Sequence, residues 1–174
     1  VCREDTGERL VAALAGHEVD LVLSDCPLSP PSGARTFNHL LGKSGTTVFA
    51  TPKLASKLRS GFPKSLDGAP MVLPGEGSAV RRELAGWLDS QDIRPLIVAE
   101  VEDSALAKAL GQAGVGLFVG PTVIEQEIAD QYTVQVVGRV PAIEERYFAI
   151  SLERRIKHPG VLAISSAARQ LLAR

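Results

Sequence analysis

An alternation constrains this chain more than any other feature. Short apolar runs of strand type are separated by stretches whose apolar residues recur every three or four positions. Val19–Ser24, Thr36–Leu41, Thr46–Thr51, Met71–Pro74, Leu96–Val101, Gly116–Val119, Val134–Val137 and Arg146–Leu152 read as strands. Between them, helices read at Pro52–Gly61, Ser78–Gln91 and Ser104–Ala113. Pro121 opens another, and a last one begins near Pro159 and carries Val161, Ile164, Ala168, Leu171 and Leu172. Val80, Leu84, Trp87 and Leu88 form one stripe on the Ser78–Gln91 helix. Pro27, Pro30, Pro31 and Gly33 mark a loop. Such an alternation predicts a layered α/β fold with largely parallel sheets. At 174 residues, two sheets of modest size fit better than one wide one.

The beginning is abrupt. Asp5-Thr6-Gly7-Glu8 has the spacing of a capping box, and Leu10, Val11 and Leu14 follow on one face. Val1 and Cys2 have no strand or helix before them, so further structure is expected upstream.

Charge and composition exclude several function classes. Nineteen basic residues against twenty acidic ones give a formal charge of −1. A general nucleic-acid surface needs clustered Lys and Arg, and no such surplus exists. No apolar run approaches the ~20 residues of a membrane span, and no signal-peptide pattern opens the chain. Cys2 and Cys26 are too few for a disulfide framework and are expected to pack as buried thiols on neighbouring strands, in a cytoplasmic protein.

In open α/β sheets, ligands collect where strands end and helices begin. Turns of that kind read at Arg3–Gly7, Ser24–Pro27, Gly75–Ser78, Glu102–Ser104 and Gly120–Thr122. They supply backbone amides and hydroxyls, and they are acidic through Glu4, Asp5, Asp25, Glu76, Glu102 and Asp103. Such acids serve either as helix caps, where the helix dipole favours negative charge, or as oxygen ligands for a cation.

Apparent enzyme signals fail on spacing. Gly42-Lys43-Ser44 resembles the end of a phosphate loop, but Phe37 stands where that motif needs its first Gly. Gly111, Gly114 and Gly116 lie between a helix and the following strand, the reverse of a dinucleotide fingerprint, and fit a helix end with a tight turn. His17, His39 and His158 lack metal-ligand spacing and suit surface or turn roles, His17 near a helix end and His158 before a helix start. There is no Gly-x-Ser-x-Gly turn, and no nucleophile, base and orienter set. No enzyme activity and no cofactor are expected.

Three stretches carry a family resemblance. Val19-Asp20-Leu21-Val22-Leu23-Ser24-Asp25, Glu100–Pro121 (EVEDSALAKALGQAGVGLFVGP) and Arg146–Val161 (RYFAISLERRIKHPGV) together resemble the effector-binding domain of LysR-type transcriptional regulators. Leu23–Pro27, Leu41–Gly45, Trp87–Gln91, Glu102–Leu106 and Val137–Val140 are most similar to members that control a sodium/proton antiporter gene in response to sodium and pH.

The resemblance implies a two-lobed fold of the type 2 periplasmic-binding-protein kind, with two small, mostly parallel sheets joined by a two-crossing hinge. Lobe one would be residues 1–50 and 141–174, and lobe two 51–140, with the family's first strand and helix preceding Val1. A small effector or cation would sit in the cleft, near Thr6, Gly7, Ser24 and Asp25 of lobe one. The facing positions of lobe two would be Gly75, Glu76, Gly77, Ser78, Asp103, Ser104 and Pro121. If sodium is sensed, Glu4, Asp5, Glu76, Glu102 and Asp103 form its expected rim. The implied partners are a second copy or a homotetramer, with Trp87, Leu88 and Leu96–Val101 as an edge. Promoter DNA would be bound only through an N-terminal helix-turn-helix outside this chain. The competing class is a small-molecule solute-binding protein of the same fold.

Overall fold

The computed structural model describes residues 1–30, 33, 35–154 and 158–173. Pro31, expected in the proline loop, lies outside them. The elements run α1 (Gly7–Ala15), β1 (Val22–Ser24), β2 (Phe37–Ala50), α2 (Pro52–Leu58), β3 (Pro70–Pro74), α3 (Ala79–Ser90) and β4 (Leu96–Val101). Then come α4 (Ser104–Gln112), β5 (Phe118–Pro121), α5 (Glu125–Tyr132), β6 (Gln135–Ser151) and α6 (Pro159–Leu172). The chain forms two compact units, one of Val1–Lys43 with Arg146–Arg174 and one of Ser44–Glu145. The chain passes from one unit to the other within β2 and again within β6.

In the first unit, α1 buries Val11, Ala13 and Leu14. β1 pairs antiparallel with β6, Val22 opposite Ile150. Leu14, Val22 and Ile150 form the buried cluster, flanked by Leu10, Val19, Leu28, Phe148 and Leu152. α6 starts at Pro159, a residue preorganised for a first helical position. It buries Val161 and Ser165, whereas Ile164, expected on the inner stripe, is exposed.

In the second unit, β3 is central. It pairs in parallel with β4, Pro70 opposite Leu96. Its other edge bridges Leu117, also in parallel. β2 pairs antiparallel with β5, Val48 opposite Val119. Two apolar clusters fill this unit. One gathers Val48, Leu66, Met71, Leu84, Leu117 and Ile143, among others. The other centres on Phe49 and Phe118, whose rings stack with centroids 5.3 Å apart.

The α/β class and the two sheets agree with the sequence reading, but the pairing is mixed and not mostly parallel. One sheet has the order β1-β6-β2-β5, and its described ladders at β1 and β5 are antiparallel; the β3-β4 sheet is parallel. Other expectations need correction. Thr36–Leu41 and Thr46–Thr51 are parts of one strand, β2, and Val134–Val137 and Arg146–Leu152 are parts of β6. Gly42-Lys43-Ser44 is therefore strand, not loop. Pro121 ends β5 in extended conformation, and a single tight turn, Thr122–Ile124, precedes α5. Cys2 is exposed and Cys26 half-buried, and neither lies in a strand. Leu88 is buried in the core, and the half-buried Trp87 stacks on Phe62 with ring centroids 6.2 Å apart. His39 is a half-buried strand residue, its Nε2 3.1 Å from the Ser151 hydroxyl. Ser151 donates its proton to the Glu153 carbonyl at 2.8 Å, so His39 must carry the proton on Nε2.

Candidate functional site

The turns singled out in the sequence lie at strand ends and helix starts in both units. In the first unit, Thr6 caps α1 in extended conformation, but its hydroxyl makes no cap bond. The Thr6 N–H donates to Asp5 Oδ1 at 2.8 Å. Asp5 is therefore one position too early for the expected capping box. That bond, with Arg9 and Arg3 nearby, holds the Asp5 carboxyl below its ordinary range against the opposing pull of desolvation. Gly7 opens α1 under Leu28, whose Cδ1 would lie 3.1 Å from a Cβ there. Leu28 is held in turn by Asn38, which accepts its N–H at 3.0 Å and donates to its carbonyl at 3.2 Å. Thr36 donates to the same carbonyl at 3.2 Å. Ser24 ends β1, and its hydroxyl accepts the Cys26 N–H at 3.2 Å, while Asp25 is exposed.

In the second unit, the structure brings the expected turns side by side. Gly75 donates its N–H to the Val101 carbonyl at 2.8 Å. A Cβ on Gly75 would stand 2.8 Å from Glu102 Cγ and 3.3 Å from its Cα, so any side chain there would have to push the Glu102 turn aside. Gly77 faces open space and Glu76 is exposed. Ser78 caps α3, and its side chain makes no cap bond. Asp103 caps α4 by accepting the Ala105 N–H at 2.7 Å, the helix-cap role foreseen for such acids.

Ser104 accepts a hydrogen bond from Lys108 Nζ at 3.2 Å. Burial lowers the Lys108 ammonium below its ordinary value, while Asp103 and Glu145 pull it back up. Glu145 in turn accepts from the Thr46 hydroxyl at 3.3 Å. Thr46 lies opposite Pro121 in the β2-β5 ladder. Ser104 is thus bonded to Lys108, and Glu145 to the residue opposite Pro121, with the Lys108 charge attracted to Asp103 and Glu145.

A second polar chain begins one residue further along. Thr47 Oγ1 lies 2.8 Å from Thr122 Oγ1 and donates to Glu125 Oε2 at 3.1 Å. Arg139 holds the same carboxylate with both arms of its fork, Nε reaching Oε2 at 2.9 Å and the second nitrogen reaching Oε1. Hydrogen bonding from Arg139 pushes the Glu125 carboxyl below its ordinary value, aided by Thr47, while desolvation opposes. None of Thr46, Thr47, Lys108, Glu125, Arg139 and Asn38 was foreseen as a site residue. Their signal is tertiary, apart from Lys108, which follows Ser104 by one helical turn. Among the described residues, no three His, Cys, Asp or Glu side chains are set to hold a metal ion.

Residues 2–173 match the family model described as the LysR substrate binding domain. The chain belongs to the LysR family. That family is one of transcriptional regulators, in which this domain is the effector-binding part. Transcriptional activator protein NhaR of Escherichia coli is 34% identical over 163 residues, which is 94% of this chain and 53% of NhaR. The chain spans about half the length of the curated relatives it matches. Among solved structures, the effector-binding domain of QuiR in complex with shikimate aligns with a TM-score of 0.64 at 16% identity, covering 95% of this chain and 78% of that one. The regulatory domain of HypT from Salmonella typhimurium aligns with a TM-score of 0.64 at 17% identity, covering 96% and 79%. At these identities the structures establish the fold: that of LysR effector-binding domains, two-lobed and like the periplasmic binding proteins. No helix among the described residues is long and apolar enough to cross a membrane.

Proposed function

We propose that this chain is the effector-sensing and oligomerisation part of a cytoplasmic LysR-type regulator, with no enzymatic role. The observation that carries the reading is the family match across residues 2–173, joined to the meeting of the Gly75–Ser78 and Glu102–Ser104 turns at a pair of helix starts. The lobes are residues 1–50 with 141–174, and 51–140. A small effector binds between them near Thr6, Gly7, Ser24 and Asp25 on one side and Gly75, Glu76, Gly77, Ser78, Asp103, Ser104 and Pro121 on the other. It acts by favouring one lobe arrangement and can shift that balance only by its difference in affinity for the two states. Promoter DNA is bound through a helix-turn-helix outside this chain. A second copy docks along β4, where Leu96, Ile97 and Val98 are 60%, 42% and 40% exposed on an edge strand.

The finer reading, supported by the 34% identity to NhaR, is a response to sodium and pH that controls a sodium/proton antiporter gene. Its test is the melting temperature in sodium chloride and in potassium chloride at one ionic strength. Sodium alone should raise it. Equal shifts in both salts would remove the sodium reading and leave the effector domain in search of a different small molecule.

A further inference from the structure

Glu125 stands where three segments meet. It is the first residue of α5, directly after the Thr122–Ile124 turn. Its carboxylate takes Thr47 from β2 and Arg139 from β6. Thr47 is fully buried, and its single hydroxyl proton goes to the carboxylate. At the 2.8 Å contact between the two threonines, Thr122 must then be the donor. The chain of hydrogen bonds therefore has one direction: Thr122 donates to Thr47, Thr47 to Glu125, and Arg139 closes it from the other side. A parallel fastening holds the same turn, where Ser44 accepts the Val123 N–H at 3.1 Å and donates to the Gly45 carbonyl at 2.8 Å. The strands reached, β2 and β6, are the two that continue into the first unit.

We propose that Glu125 is a positioning residue of the effector response, fastening the turn that follows Pro121 to both strands through which the second unit is connected to the first. The effector part rests on the assignment of Pro121 to the binding site; the fastening does not. A ligand pressing on the Pro121–Thr122 turn would move Thr122 Oγ1. The carboxylate would pass that displacement to Thr47 and Arg139 together, because a buried hydroxyl cannot lose its acceptor without cost.

The test needs no effector. Arg139 is 63% exposed in its side chain, so Arg139→Gln should leave the fold intact. Amide exchange of Val123, read by NMR, should nevertheless speed up by about threefold to fivefold, the loosening expected when an exposed ion pair is lost. Glu125→Gln should produce a similar rise, and adding Arg139→Gln to it should bring little more, since both act through one carboxylate. Arg139→Lys, which keeps the charge without the fork, should fall between. Unchanged Val123 exchange in Arg139→Gln would overturn the proposal, as would full additivity in the double variant. A failed sodium titration would leave this result standing, and so would separate the fastening from the sensing.

Discussion

The two units use the same kinds of element and hold them together differently. Ser44–Glu145 has two packed apolar clusters, and its strand-end turns are tied by side-chain networks that join residues far apart in the chain. Among the described residues, the unit of Val1–Lys43 with Arg146–Arg174 has one small cluster around Leu14, Val22 and Ile150. Its first helix starts without a cap bond from the Thr6 side chain. The physical lesson is that apolar burial scales with the number of layers a unit can stack. The second unit sandwiches β3 between neighbours on both edges.

The largest effect separates the cores. Phe118→Ala removes a fully buried ring that stacks on Phe49 and should cost about 3–5 kcal/mol. Ile150→Ala, equally buried but in the smaller cluster, should cost about 2–3 kcal/mol, since thinner surroundings collapse more easily. Urea unfolding of the two variants makes the comparison. A larger loss at Ile150 would break the ranking of the units.

A smaller contrast lies at the helix caps. Asp103→Ala removes a bonded cap from α4 and should cost about 1 kcal/mol. Thr6→Ala removes a hydroxyl that makes no cap bond to α1 and should cost only a few tenths of a kcal/mol. Thermal melts of both variants would sharpen the difference, and equal losses would show that Thr6 closes its cap in solution.

The smallest effect is electrostatic. Glu125 has its carboxyl lowered below an ordinary 4.5, chiefly by Arg139. A lowered carboxyl favours the folded state above its unfolded value and loses that contribution as pH falls through the folded one. Stability from the Glu125–Arg139 pair should therefore be complete near neutrality and decline below about pH 4.5. Because the pair is solvent-facing, it should stay within about 1 kcal/mol. Wild type and Glu125→Gln should differ in melting temperature at pH 7, and the gap should narrow steadily as pH falls below about 4.5. A gap that widens on acidification would contradict the sign.

Local physics made much of the fold legible before any coordinates. Leu96–Val101 appears as a strand with the bounds the sequence suggested, and α6 begins at the proline that announced it. Asp103 caps α4, as the position of an acid before a helix implies. These features depend on neighbours within a turn or two, so residue order encodes them directly. The two long strands were not legible. Gly42 and Gly45 interrupt β2, and Gly138 and Pro141 interrupt β6, so each looked like two short strands. Only pairing with distant partners carries such residues in extended form.

The candidate site divides along the same line. Its turns were visible because glycine, serine and aspartate mark strand ends. That Gly75 rests on Glu102, and that Thr47, Thr122, Glu125 and Arg139 share one proton-ordered chain, could not be read from the sequence. Thr47 and Glu125 are 78 positions apart, and no periodicity links them. The sequence alone set most of the helices, the bounds of β4 and the family, whereas the start of α5 and the full length of β2 and β6 depended on their packing. Tertiary structure decided which polar groups meet, because hydrogen bonds are satisfied by proximity in space and burial makes that satisfaction compulsory.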